Sequence, residues 1–185
     1  MAELARLGAF DAFRIALDAV QVEPADAAAR FSFRGSAAAA AAAGRGFGVT
    51  LPQAACRAET AGQRVALWLG PDEWLLLAPE GSAEAVARSM AEALGETPHS
   101  LVDIGHRLAG LALAGPRAAV VINNFCPLDL DPAAFPVGMC TRTVFAKAEI
   151  GLWRAEQNRF RVEVARSFAG YLRGLIEEAC REFSR

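Results

Sequence analysis

Apolar and polar positions change period several times along the chain, and each change marks an element. Residues 29–34 alternate Phe31 and Phe33 with Arg30, Ser32 and Arg34, the period of a half-buried strand. Ser36 then opens a run of alanines, 37–43, that Gly44 closes. Serine as cap, alanine as the best helix former and glycine as exit predict a short helix; the other reading is a low-complexity linker, because alanine buries little. Residues 65–70 and 73–78 are apolar and strand-length around Gly70-Pro71-Asp72, the pattern of a β-hairpin. Ser82 is placed to cap a helix with Val86, Met90 and Leu94 on one face, ending at Gly95, and residues 99–104 return as a strand. That order, βαββαβ, is the split ferredoxin-like unit.

The second half nearly repeats it. Residues 108–114 form a strand, and Gly115-Pro116 starts a helix with Val120 and Val121 facing inward. Strands follow near 139–146, 149–154 and 160–164, the last alternating Phe160, Val162 and Val164 with Arg161 and Glu163. Ser167 is placed to cap a final helix whose Phe168, Tyr171, Leu172, Leu175, Ile176, Ala179 and Phe183 make one apolar stripe. The expected fold class is α+β: two ferredoxin-like βαββαβ-type halves in one body, sharing a sheet or packed side by side. The divisions are an N-terminal arm (1–20), a first half (21–105) and a second half (106–185); the junction near 105–107 has no linker composition. Leu4, Leu7, Phe10 and Phe13 give the arm helical spacing without a cap, so an amphipathic helix and a frayed tail both stand.

Between the halves of this second repeat lies a stiff loop, 126–138, with prolines at 127, 132 and 136 that fix φ and bias the preceding residues toward extended geometry. A long rigid loop generally has something to hold or touch. Composition narrows what that is. A net charge of −2 and a pI near 5.8 leave no basic footprint for nucleic acid. No apolar run approaches the ~20 residues that span a bilayer, and the N-terminus has no basic, apolar leader pattern, so a cytoplasmic protein is expected. Cysteines 56, 126, 140 and 180 include no Cys-x-x-Cys pair, which argues for reduced thiols used as small hydrophobes rather than a zinc site.

Candidate chemistry is sparse. His106 follows Asp103-Ile104-Gly105, so Asp103 and His106 form either a dyad or a strand-end pair bonded to backbone; no nucleophile motif accompanies them. Asp129 and Asp131 either bind a cation, act as an acid/base pair, or cap turns beside Pro132. Period two sets Trp153 on the face opposite Ile150 and Leu152, near Arg142, Arg154 and Arg166. Tryptophan with arginine is the composition of interface hot spots, whereas a doubly covered sheet would make Trp153 core.

Several longer stretches resemble one family. Ala66-Leu67-Trp68-Leu69-Gly70-Pro71-Asp72-Glu73-Trp74-Leu75-Leu76-Leu77, Val102-Asp103-Ile104-Gly105-His106-Arg107 and Gly115-Pro116-Arg117 are similar to the sarcosine oxidase gamma subunit family. So are Cys126-Pro127-Leu128-Asp129-Leu130-Asp131 through Phe135-Pro136-Val137-Gly138, then Thr141-Arg142-Thr143, Lys147-Ala148-Glu149 and Arg166-Ser167-Phe168. The resemblance covers residues 60–183. It implies a non-catalytic structural subunit in a heterotetramer with alpha, beta and delta subunits. That enzyme demethylates sarcosine to glycine, giving hydrogen peroxide and formaldehyde or, with tetrahydrofolate, methylene-tetrahydrofolate. FAD, FMN, NAD, zinc and tetrahydrofolate are expected in the partner subunits and none in this chain. The implied fold is that of the folate-binding domain of aminomethyltransferase, the glycine-cleavage T-protein. Asp103 then matches the aspartate of that family's Asp-Val-Ser-His pattern, with Gly105 in place of serine and no Tyr-Thr-Gly-Glu segment. Asp103 and His106 are thus a weak remnant of a folate site. The interface candidates are Asp129, Asp131, Phe135, Arg142, Trp153, Arg154 and Arg166. The alternative is a stand-alone folate-binding protein or aminomethyltransferase-like enzyme using Asp103.

Overall fold

The computed structural model describes residues 8–26 and 28–184. In chain order the strands and helices are β1 (Ile15–Ala16), β2 (Gln21–Pro24), β3 (Ala28–Gly35), α1 (Ala37–Phe47), β4 (Ala58–Ala61), β5 (Arg64–Gly70), β6 (Glu73–Pro79), α2 (Ala83–Leu94), β7 (His99–Asp103), β8 (Leu108–Ala114), α3 (Ala118–Asn123), β9 (Cys140–Phe145), β10 (Ala148–Glu156), β11 (Arg159–Ala165) and α4 (Ala169–Cys180). They form two antiparallel sheets, ordered β4-β5-β6-β3-β7 and β1-β2-β8-β11-β10-β9. The sheets do not merge. They stack, with Leu67, Leu75 and Leu77 of one meeting Cys140 and Trp153 of the other. Helices α1 and α2 cover the outer face of the five-stranded sheet through Phe31, Phe33, Trp74 and Leu76, and α3 and α4 cover the six-stranded one.

The first sheet is the expected ferredoxin-like unit, with β4 added at its edge. The second sheet has the same layout: β8, β11, β10 and β9 stand where β3, β6, β5 and β4 stand in the first. Its remaining position, equivalent to β7, is taken by β2 from the N-terminal side, paired to β8 from Gln21↔Ala114 to Pro24↔Leu111. The division at 21–105 therefore assigned this strand to the other half. The tetrapeptide Gln-Val-Glu-Pro is too short to show a partner in its own pattern. Of the arm, Leu4 and Leu7 lie outside the described residues, while Phe10 and Phe13 are buried in the second core without a helix around them.

Helix α1 runs longer than its alanine run. Ser36 does cap it, accepting from the Ala39 amide at 3.3 Å, but the exit is Gly48 at φ +77°, and Gly44 lies inside. Its small residues are a packing requirement: a Cβ on Gly46 would lie 2.6 Å from the Ser89 carbonyl oxygen and 2.8 Å from the Met90 Cα of α2. Other caps differ from expectation. The Ser82 hydroxyl donates back to the Pro79 carbonyl at 2.6 Å instead of capping α2, and a 3-10 turn, Arg166–Phe168, takes up Ser167 before α4 begins. Val121 faces inward but Val120 is exposed.

Candidate functional site

Three places gather the chemistry-bearing residues, all at or beside the seam between the sheets. The first is the seam's centre. Arg30 of β3 and Glu163 of β11 belong to different sheets and were expected on solvated strand faces. Instead both are buried and paired: Arg30 Nε donates to Glu163 Oε2 at 2.7 Å, and Arg161 Nε donates to Oε1 at 2.8 Å. Arg30 Nη2 adds a longer bond to Glu163 Oε1 at 3.3 Å, while Arg30 Nη1 donates to the Ala28 carbonyl at 3.0 Å and Arg161 Nη2 to the Asp26 carbonyl at 3.3 Å. Room for this triad comes from Gly110, where a Cβ would sit 2.9 Å from Glu163 Oε1 and 3.0 Å from Arg30 Nη2.

The second is the 126–138 loop. Cys126, Leu130 and Phe135 sink into the second core. Asp129 Oδ1 accepts from the Asp131 amide at 2.9 Å and Asp131 Oδ1 from the Ala133 amide at 2.8 Å, so both carboxylates cap turns on the exposed side. Underneath, Arg154 is 2% exposed. Its Nη1 donates to the Phe135 carbonyl and its Nη2 to the Leu130 carbonyl at 2.9 Å, while its carbon Cζ stacks 4.6 Å from the Phe160 ring centre. Burial pushes its pKa below the usual guanidinium value, partly offset by Asp131. The loop's exit also ties the sheets together, since Gly138 O accepts from the Ala58 amide at 2.8 Å and the Cys140 amide donates to Cys56 O at 3.0 Å.

These positions correct three interface candidates, Phe135, Arg154 and Trp153. Phe135 and Arg154 are core groups that no partner can touch without opening the fold. Trp153 is half-buried and packs against the inter-sheet core, because both faces of β10 are covered. Its indole Nε1 is buried and meets no hydrogen-bond partner among the described residues. Arg142 is part-exposed and spans the halves, donating from Nη2 to Glu73 Oε1 at 2.7 Å; that hydrogen bond holds its guanidinium above the usual pKa. Asp129, Asp131 and Arg166 are exposed. The Arg30–Glu163 pair carried no signal in the sequence beyond its strand period.

The third place is a cavity of about 540 Å³ at one end of the seam, lined by Arg30, Asp103, His106, Gly110 and Arg166 among others. It brings Asp103 and His106 to one mouth, both exposed. Asp103 Oδ1 already accepts from the Gly105 amide at 2.8 Å, an Asx turn. A pterin's donor-rich edge calls for a desolvated carboxylate. Among the described residues the carboxylates lining this cavity, Asp11, Glu80 and Asp103, are all exposed, and its buried charge is the Arg30 cation. The cavity therefore does not fit a pterin. No cluster of three metal-ligating side chains occurs among the described residues.

The four cysteines are unbonded. Burial pushes the Cys140 thiol up to about 12 and Cys180 to about 11. In the unfolded chain these thiols ionise near their ordinary value of 9.0, so stability is whole below that pH and falls as pH rises from there toward 12. Denaturant midpoints at pH 8 and pH 10 are expected to show the loss. Iodoacetamide at pH 8 is expected to spare Cys140 and Cys180 in the folded chain, as peptide mass mapping would reveal.

Two stacked ferredoxin-like sheets clothed by helices are the scaffold class of the glycine-cleavage aminomethyltransferases. The glycine cleavage system aminomethyltransferase T from Bartonella henselae superimposes with a TM-score of 0.60 at 14% identity, over 87% of this chain and 45% of that one, a likeness of fold alone. The particular family is narrower: the model of the sarcosine oxidase, gamma subunit family matches residues 33–182, and the chain belongs to it. Sarcosine oxidase subunit gamma of Corynebacterium sp. (strain P-1) is 36% identical over 118 residues, and that of Arthrobacter sp. 39% over 116 residues. The matched stretches cover 64% and 62% of this chain but only 57% and 56% of those relatives. A chain in the structure of heterotetrameric sarcosine oxidase from Corynebacterium sp. U-96 superimposes with a TM-score of 0.86 at 30% identity, covering 96% of this chain and 92% of that one.

Proposed function

We propose that this chain is the gamma subunit of a heterotetrameric sarcosine oxidase, a structural part that presents a rigid face to larger alpha, beta and delta subunits. Those partners hold the flavins, NAD, zinc and folate, and carry out sarcosine demethylation. The observation that carries the reading is the near-complete superposition on a chain of such a heterotetramer. The interior supports it. Among the described residues the buried charged groups are Arg30, Arg154 and Glu163, each bonded internally, and Asp103 is engaged in its own turn. Arg30 holds Glu163 across the sheets with Arg161 beside it on the same strand, and Arg154 braces the loop, so what remains outward is shape and rim charge. Asp129, Asp131, Arg142 and Arg166 are the interface residues that this reading retains.

Co-production with the candidate alpha, beta and delta subunits tests it. A stoichiometric complex that oxidises sarcosine is expected, and the chain by itself is expected to show no turnover and no heat change with tetrahydrofolate. An isolated chain that binds tetrahydrofolate or turns over sarcosine would reject the structural role. Asp129→Lys with Asp131→Lys is expected to weaken assembly while leaving thermal unfolding of the free chain nearly unchanged, because rim charges alter association more than folding.

A further inference from the structure

The two sheets match strand for strand except at one place. In the six-stranded sheet β1 lies outside β2, paired through Ile15↔Val22 and Ala16↔Gln21. The equivalent of β2 in the five-stranded sheet is β7, and among the described residues no strand lies outside it. The Ile104 amide donates to the Arg30 carbonyl at 2.8 Å, which makes Arg30 and Ile104 a hydrogen-bonded pair. Antiparallel ladders alternate. With Ser32 opposite Val102 and Arg34 opposite Ser100, the amides and carbonyls of His99, Leu101 and Asp103 point away from β3 toward the open edge. Among the described residues they meet no backbone partner there.

Natural sheets guard open edges with short strands, charges or bulges. The edge at β4 is four residues long and carries Glu59, and the edge at β9 carries Arg142 bound to Glu73. β7 is five residues long and carries no free charge. Its one charged side chain, Asp103, is turned to the Gly105 amide, and Val102, on the face shared with Ser32, is 50% exposed. Past the end of this strand, at Ile104, a cavity of about 340 Å³ opens between the sheets, lined by Ser32, Leu69, Arg107 and Phe168 among others, with Glu73, Glu149 and Glu163 also on its wall. Phe168 is 42% exposed, and the exposed Arg107 side chain makes no ion pair or hydrogen bond among the described residues.

We propose that the edge of β7 receives an extended segment of a partner subunit as a sixth strand, with an aliphatic side chain against Val102 and a carboxylate for Arg107. The backbone groups supply the binding and the side chains the register, as in other strand-addition complexes. This rests on the assembly reading above and names the surface through which assembly runs.

The test uses the full-length chain, free and co-produced with the candidate partner subunits. Amide exchange at His99, Leu101 and Asp103 is expected to slow about a hundredfold or more in the complex. Val102→Lys, at a half-exposed position, is expected to leave thermal unfolding of the free chain unchanged and weaken association about tenfold or more. A complex whose β7 amides exchange as in the free chain, and which tolerates Val102→Lys, overturns the edge while the assembly reading stands. Absence of any complex overturns both. Protection that grows with the concentration of the free chain would mean pairing with a second copy and overturns the choice of partner.

Discussion

Glu163→Ala is expected to cost about 3–5 kcal/mol of folding stability, the range for removing one partner from a buried ion pair. The loss is read as a lower urea midpoint with the slope retained. The reason lies in what the substitution leaves behind. Among the described residues Glu163 is the only carboxylate bonded to Arg30 and Arg161, so its removal leaves two guanidinium groups facing one another in a buried seam. Arg161 retains a little access to water and turns outward at small cost, but Arg30 has side-chain exposure of only 9%. Arg30→Met with Glu163→Leu is expected to recover most of the loss, since apolar groups of similar volume need no partner. Gly110→Ala attacks the same point by sterics. A Glu163→Ala variant within about 1 kcal/mol of the parent would mean that water enters the seam and solvates the triad.

This triad marks where sequence pattern stops being informative. In residues 29–34 and 160–164 a two-residue period separates apolar from polar positions, and the strands are where that period puts them. Period two says that Arg30 and Glu163 point away from the Phe31 and Phe160 cores. It does not say that they point to water. Here those positions of two sheets oppose each other across a seam that is apolar beside them, and the opposite charges of Arg30 and Glu163 make their enclosure tolerable. The same limit applies to Trp153 and Arg154: consecutive positions on one strand, both offered as interface candidates with core as the other reading of Trp153, are each enclosed because β10 is covered on both sides.

Long-range pairing explains the other differences. β8 was legible to the residue, because seven apolar or small residues stand between turn signals. β4, Ala-Glu-Thr-Ala, has no periodicity, and the edge of β5 holds it in place. β2 finds its place ninety residues away along β8, information that no local window contains. The folate-domain likeness was legible through Asp103-Ile104-Gly105-His106, and the structure does bring Asp103, Gly105 and His106 to one cavity. What the cavity can hold depends on Arg30 and Gly110, whose meeting is tertiary.

Arg154→Met is expected to cost about 2–4 kcal/mol, because two loop carbonyls lose their donors and each buried acceptor left unmet costs about 1–3 kcal/mol. The gain from relieving a desolvated cation, with no carboxylate bound to it, keeps the figure below that for Glu163→Ala. Arg154→Lys is expected to recover little, since one ammonium cannot bridge Phe135 and Leu130 as a planar fork does. A general loss of stability would not distinguish a clamp from an ordinary core residue, so the decisive readout is local. Proteolysis and amide exchange across 127–134 should accelerate in Arg154→Met while β8 and β11 stay protected, and cleavage no faster than in the parent would show that the prolines alone hold the loop. The same variant bears on assembly: Arg154 cannot touch a partner, yet it fixes the backbone that displays Asp129 and Asp131. If those carboxylates dock, Arg154→Met weakens the complex under conditions where the free chain is still folded, and Arg142→Ala, which leaves the loop clamped, does not loosen 127–134 at all.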